Sequence, residues 1–412
     1  MKYVAVLGAA APERITKVTF KYFPNFLVSM AEPTTNKSWT LFQIDKQMKK
    51  IVKQKNKYKE IYPEVADKIK LFVDSGGFQV IMGYVSKRRV KEYIRTYHYL
   101  LKKYKDDIDY IFSLDVMNRG WNKQEQIEFN DYSISQSIQL IKEIPEIADK
   151  QLFIVQTRIE PVFDLWKELM DKHNIYQYYT RYSFGGLVGL KKETNAKFSH
   201  AVPFLFWLLS KIRDNNGKIT HLHLLGQSSK LMIFTTIFLE NLLSKYDINI
   251  EFTMDSSELI RFAKIEHKLP LVCKHQDDYL FIKDINDLDK MLDNHSNKES
   301  FLDTIKEKKD LLCNHGKLEN EDFVDFMCQN INNVIQFSHE LLDNLSLEDL
   351  RKYFDYSIDD LKKIHPLFEQ GRFAVEIYNN LQIIQEFLDI YLNEKDSTEI
   401  LESKCKNILK TY

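Results

Sequence analysis

Six apolar runs in this chain stop on residues that can do chemistry. The stretch "KLFVDSGGFQV" (70–80) passes from Leu71, Phe72 and Val73 straight into Asp74, Ser75 and Gly76-Gly77. Asp115, Gln156, Gly185-Gly186, Gly226 and Asp255 close five later runs in the same way. A carboxylate at the tip of a buried strand can shuttle a proton or attack an electrophilic carbon. Paired glycines let backbone come close to a ligand. Each stop also has a plain structural reading. Asp-Ser-Gly-Gly makes a turn whose side chains bond their own backbone, Asp115 can cap a helix, Gln156 can satisfy buried backbone and Phe78 can sit in the core. One shared pocket accounts for all six stops, whereas independent turns do not explain their common position at run ends.

The elements that would position them alternate. Short runs rich in β-branched and aromatic residues occur at "YVAVLG" (3–8), "NFLVSM" (25–30), "LFV" (71–73), "IDYIFSL" (108–114), "LFIVQ" (152–156), "RYSFGG" (181–186), "HLHLLG" (221–226) and "IEFTM" (250–254). Helix-periodic stretches such as "VKEYIRTYHYLLKKY" and "SSKLMIFTTIFLENLLSKY" separate most of them. From the third run onward the spacing is roughly 30–40 residues, one strand-plus-helix unit. Eight such runs predict an α/β fold of the (β/α)8 barrel type, with an open doubly wound sheet as the alternative. In a barrel the C-terminal strand ends converge on one face, so the six stops would line a single mouth. The first two runs are only about twenty residues apart, which suggests a hairpin-like opening. After residue 275 the rhythm changes to acidic amphipathic segments, among them "LENEDFVDFMCQNINNVIQFSHELLDNL". The division is therefore a barrel over 1–275 and an acidic, mainly helical region over 276–412, read as a separate bundle packed against it.

The charge is unevenly placed. Residues 1–100 hold 19 Lys and Arg against 8 Asp and Glu, a net of +11, and residues 271–412 hold 17 against 29, a net of −12. The basic runs "KQMKKIVKQKNKYKE" (46–60) and "SKRRVKEYIR" (86–95) are solvated helix faces or a polyanion-binding surface. Cys273, Cys313, Cys328 and Cys405 are scattered and late, with no disulfide framework, which fits a reducing cytoplasm. The opening apolar run lacks a basic n-region beyond Lys2 and reads as a core strand. "AVPFLFWLLSKI" is about half the length a membrane helix needs, so no membrane is expected.

Four segments, "DSGGFQV" (74–80), "FGGLVGL" (184–190), "HLHLLG" (221–226) and "FTMDSSELIRFAK" (252–264), resemble in order and spacing the motifs of the tRNA-guanine transglycosylase superfamily. The resemblance spans roughly residues 60–270 and includes Asp255 followed by Arg261, Ala263 and Lys264. These enzymes are (β/α)8 barrels that exchange a guanine base in a nucleic acid for a 7-deazaguanine. The resemblance implies that Asp255 is the nucleophile toward the sugar carbon and Asp74 the general acid and base. It also implies that Phe78 stacks on the base, that Ser75, Asp115 and Gln156 contact the base and its neighbours, that the Gly185-Gly186 backbone meets its carbonyl, and that Leu225 covers its other face. Arg261, Lys264 and the run Lys87, Arg88 and Arg89 are the candidate nucleic-acid contacts. The chemistry requires no cofactor.

The chain departs from that family in one respect. The tRNA enzymes carry a Cys-x-Cys-x-x-Cys zinc cluster with a later His, and this sequence has "CKH" (273–275) and "CNH" (313–315) instead. Cys273, His275, Cys313 and His315 would form a Cys2His2 set for a structural Zn2+, with Asp278 and His295 as variant ligands, unless the two pairs arose by chance and no metal is held. The missing cluster and a Lys-, Asn- and Ile-rich composition resemble the relatives that insert 7-deazaguanines into DNA in bacteria and phages, so DNA is the expected partner and tRNA the alternative. Other classes stay open: a barrel that binds nucleic acid without reacting, or a two-carboxylate glycosidase. A homodimer or a partner protein is compatible with the sequence and not read from it.

Overall fold

The computed structural model describes the chain outside residues 7–12, 30–40, 78–79, 81–84, 117–119, 157–159, 187–195, 227–228, 257–270, 276–277, 283–320, 365–367, 369–372, 395 and 411–412, and without the side chains of 13–15, 41–44, 47, 160–161, 196–200, 256, 271–275, 278–282, 322–323, 326 and 409–410. Eight parallel strands close a barrel in sequence order: β1 (Lys2–Val6), β2 (Asn25–Ser29), β3 (Lys70–Asp74), β4 (Tyr110–Phe112), β5 (Gln151–Gln156), β6 (Arg181–Gly185), β7 (His221–Leu224) and β8 (Glu251–Ser256). β8 pairs with β1 through Val4 and Asp255, which completes the ring. The opening is not a hairpin. Helix α1 (Glu13–Tyr22) lies between β1 and β2, and the two strands pair in parallel. A crossover normally takes a dozen or more residues, so the short gap still accommodates one compact helix.

Helices α2 (Leu41–Ile61), α3 (Val90–Lys103), α4 (Lys123–Glu143), α5 (Glu160–His173), α6 (Ala196–Asp214) and α7 (Lys230–Ser244) follow strands β2 to β7 in turn. Two of their starts carry the local signals expected of helix entry. The Asn122 side chain accepts from Glu125 N–H at 2.9 Å while Glu125 accepts back from Asn122 N–H at 3.2 Å, and Ser229 Oγ accepts from Met232 N–H.

Alternation along the strands sorts side chains into two cores. Val4, Leu27, Phe72, Phe112, Leu152 and Ile154 point inward and fill the barrel. Their neighbours in sequence, such as Tyr3, Phe26, Val73 and Phe153, point outward and pack under the helices, as do Tyr182 and Leu222. The barrel interior is thus a filled core, not a channel, and its upper rim carries the run-end residues.

The C-terminal helices pack on one another and also extend the barrel's outer core. α8 (Glu321–Leu342) packs on α1 and α7, while α11 (Phe373–Asn393) and α12 (Ser397–Lys410) pack on α6. α9 (Leu347–Asp355) and α10 (Ile358–Ile364) adjoin α11. Met327, Leu381 and Leu401 belong to the same apolar cluster as the barrel's outer residues. Polar contacts fasten this junction: Lys21 pairs with Asp325 at 3.1 Å and Lys406 with Asp164 at 3.0 Å. Arg213 lies over the Tyr391 ring, 4.6 Å from its centroid, and donates to Ser397 Oγ at 2.6 Å. Strands β9 (Leu271–His275) and β10 (Asp278–Ile282) form an antiparallel pair. No helix among the described residues is long and apolar enough to cross a membrane.

Candidate active site

Asp74 ends β3, and its register partner on β2 is Ser29. Its carboxylate accepts hydrogen bonds from Ser29 and from the Gly76 N–H. The Gly76 bond is the turn that "DSGG" predicts, and Ser29 adds a contact from the neighbouring strand. Burial pushes the Asp74 carboxyl up from the ordinary value, the two hydrogen bonds pull it back, and the Asp255 charge adds a further push upward. Ser75 is fully buried. Its Oγ has no hydrogen-bond partner among the described residues, while its carbonyl accepts from Tyr93 Oη on α3.

Asp115 lies three residues beyond the end of β4 and does not cap α4, which Asn122 caps. Helix α4 fixes it from behind. Asn130 Nδ2 donates to Val116 O and Asn130 Oδ1 accepts from Val116 N–H, each at 2.8 Å, and Ser133 Oγ donates to Leu114 O at 2.8 Å. On α3, Tyr97 Oη donates to Phe112 O one step lower. Asp115 is 4 % exposed. Burial first and the Asp74 charge second push its carboxyl up to about 7, against a lowering hydrogen bond from Gln156.

Gln156 Nε2 donates to Asp115 Oδ2, so this amide orients the carboxylate instead of satisfying buried backbone. Two glycines make room for the pair. A Cβ on Gly77 would stand 2.0 Å from Asp115 Oδ1, and one on Gly185 would stand 2.6 Å from Gln156 Nε2. The glycines thus admit the polar side chains that cross in front of them, a close approach no other residue permits. Leu225 caps the inner apolar cluster beneath the mouth.

Asp255 sits on β8 and is 7 % exposed. His223 Nε2 lies 2.8 Å from its Oδ1, and Gly226 N–H donates to the same oxygen at 2.9 Å. Gly226 has φ 69°, the left-handed region that turns its N–H back toward β8. Both contacts fall on one oxygen, and Oδ2 has no partner among the described residues.

The fold thus brings Asp74, Ser75, Asp115, Gln156, Gly185 and Asp255 to one rim, with Leu225 and Gly186 beside them. Phe78, Arg261 and Lys264 lie outside the described residues. So do Cys313 and His315, and the side chains of Cys273, His275 and Asp278. No group of three or more His, Cys, Asp or Glu among the described residues could hold a metal. Lys87, Arg88 and Arg89 form a short 3-10 turn leading into α3. Lys87 is paired with Glu125 and Arg89 with Glu92, while Arg88 is exposed.

Several residues of the site escape the run-end reading: Ser29, His223, Asn130, Ser133, Tyr93 and Tyr97. Signals for them exist. Histidines at i and i+2 in "HLH" must share one strand face, and Asn130, Ser133 and Ser137 recur at helical spacing on the buried face of α4. Chemically, the rim offers one carboxylate held by two donors, a second that shares its surroundings with charge, and a third fixed by an amide. That set can transfer protons and present an oxygen nucleophile. No protein-family model matches this chain, and no curated protein does.

Proposed function

We propose that the protein is a base-exchange transglycosylase that replaces guanine in DNA by a 7-deazaguanine such as 7-cyano-7-deazaguanine. The observation that carries this reading is the meeting, on one barrel rim, of Asp74, Asp115 and Asp255 with Gln156 laid across Gly185. The resemblance of the four sequence segments supplies the reaction class.

In this mechanism the target nucleotide leaves its stack and enters the mouth. Asp255 Oδ2 attacks the sugar carbon as the bond to guanine breaks, and positive charge developing on the sugar is stabilised by the carboxylate beneath it. Asp74, whose carboxyl is pushed up by burial, gives its proton to the departing base. The incoming 7-deazaguanine then loses a proton to Asp74, and its nitrogen attacks the same carbon and displaces Asp255. Both carboxyls end as they began. Asp115, ionised, accepts from the donor edge of the base, and Gln156 holds it in the plane required. Ser75 Oγ, buried and without a described partner, is a further polar contact for the substrate. The preference for DNA over tRNA rests on the missing zinc cluster and on composition.

The test offers labelled guanine or 7-cyano-7-deazaguanine to the purified protein with double-stranded DNA or with unmodified tRNA, and Asp255→Asn as control. Label entering DNA, and none with Asp255→Asn, is expected. Label entering tRNA alone would reassign the polynucleotide. Label in neither would favour a barrel that binds without reacting.

A further inference from the structure

Asp255 is the end of a polar column that runs through the barrel core. Arg181 Nη1 lies 3.5 Å from His221 Nδ1, and His221 Nε2 lies 2.6 Å from Thr253 Oγ1. Thr253 Oγ1 lies 2.8 Å from His223 Nδ1, and His223 Nε2 lies 2.8 Å from Asp255 Oδ1. The five residues come from neighbouring strands β6, β7 and β8, where two-residue alternation turns them all inward. His221, His223 and Thr253 are buried at 0 %, 0 % and 1 % exposure.

The direction of the protons follows from the two ends. A guanidinium only donates, and a carboxylate only accepts. His221 Nδ1 must therefore accept from Arg181, so its proton sits on Nε2 and goes to Thr253 Oγ1. The threonine's own proton goes to His223 Nδ1, which leaves the His223 proton on Nε2 for Asp255. Every link then holds one proton, and both histidines are neutral in the same tautomer.

Aromatic and charged groups face both rings. His221 faces Arg181 on β6, Thr253 on β8, the Tyr110 ring on β4 at 5.2 Å and the Phe72 ring on β3 at 6.4 Å, with Lys2 on β1 nearby. His223 faces Thr253 and Asp255 on β8, the Phe112 ring on β4 at 4.8 Å, the Phe72 ring at 5.9 Å and the Asp74 carboxylate on β3. The column starts at the opposite end of the barrel from the rim. There a cavity of about 520 Å³ is lined by Lys2, Lys70, Tyr110, Glu251 and Thr253.

We infer that this directed chain sets the orientation of the nucleophile: Thr253 and His221 are positioning residues that lock the His223 tautomer, and His223 with the Gly226 N–H aligns the Asp255 carboxylate so that Oδ2 meets the sugar carbon. The inference rests on Asp255 being the nucleophile, but the chain itself can be read without any reaction. Nothing in it touches substrate except through Asp255.

Two measurements on the full chain test it. Histidine-labelled NMR of wild-type protein should show the Nε2–H tautomer at both His221 and His223. Thr253→Val keeps the shape and removes both hydroxyl bonds, and should abolish the uniform tautomer. In base exchange Thr253→Val should lower kcat about 10- to 100-fold, the order expected for a slightly misplaced reacting group, with KM for the incoming base within about twofold. Thr253→Ser should restore kcat to within about threefold, since it returns the same donor and acceptor. A charged histidine or an Nδ1–H tautomer at either position in wild type overturns the inference. So does an undiminished kcat in Thr253→Val when wild type exchanges base. If wild type exchanges none, the functional reading fails and the spectra alone decide: histidines unchanged by Thr253→Val overturn the chain, and histidines that lose the Nε2–H form uphold it.

Discussion

Replacing Asp115 by asparagine should make the protein more stable than wild type at alkaline pH and progressively less so toward acid. Asp115 is almost fully buried and its carboxyl is pushed up to about 7 by burial and by Asp74. The unfolded chain ionises near the ordinary value of 3.8. Below that value both states are protonated and Asp115 has no effect on the balance. Between there and about pH 7 only the unfolded state ionises, so folding loses stability as pH rises, and above it the loss levels off. At about 1.36 kcal/mol per unit the full loss is about 4 kcal/mol, a large share of the 5–15 kcal/mol that holds a typical domain together. The asparagine side chain cannot ionise, matches the protonated form in shape and still accepts from Gln156. The difference in urea unfolding free energy between Asp115→Asn and wild type should therefore widen by roughly 2 to 3 kcal/mol from about pH 5 to pH 8, in favour of the variant. Titrating groups that do not interact with Asp115 contribute equally to both proteins and cancel in that difference. A difference that stays constant with pH would refute the assignment of a buried, raised carboxyl to Asp115.

Four further outcomes follow from the proposed base exchange. Gly185→Ala should lower affinity for the incoming base by about tenfold or more, because its Cβ would displace Gln156 and so release Asp115; a direct binding titration reads this, at about 1.4 kcal/mol per tenfold. Asp74→Asn should stop turnover while DNA binding stays within about twofold, since the proton donor is lost and the fold is not; single-turnover assays with parallel binding measurements check it. Affinity for guanine should fall up to about tenfold per pH unit below about pH 7, because the base's donor edge needs ionised Asp115; calorimetry across that range would show it. DNA affinity should fall steeply with salt if the N-terminal basic runs contact phosphates, and a flat response would remove them from the interface.

The sequence and the structure divide the site unevenly. The run-end residues were legible because a strand that leaves the core must change composition at the point where it leaves, and in a barrel all such points face the same way. Asp74, Asp115, Gln156 and Asp255 could be picked out on that ground without knowing what they touch. Their partners could not. Ser29 joins Asp74 only because β2 pairs with β3 in the register that sets the two side by side. Asn130 and Ser133 clamp the backbone around Asp115 from a helix that sequence spacing marks merely as amphipathic. Which barrel helices the C-terminal region covers was illegible for a related reason. Amphipathic periodicity shows that a helix has an apolar face, but not whether another C-terminal helix or the barrel's own α6 and α7 will cover it.

The alternation of strands and helices, the barrel class and the list of polar stops are properties of the sequence itself, since they follow from which residues can be buried and at what period. What only the tertiary structure decided is the pairing of those groups in space. Closing β8 onto β1 brings residues about 180 positions apart to one rim, and there burial and neighbouring charge push the Asp74 and Asp115 carboxyls up. The column from Arg181 to Asp255 is of the same kind. Each of its residues is ordinary in sequence, and the direction of its protons exists only because three neighbouring strands turn them inward in register.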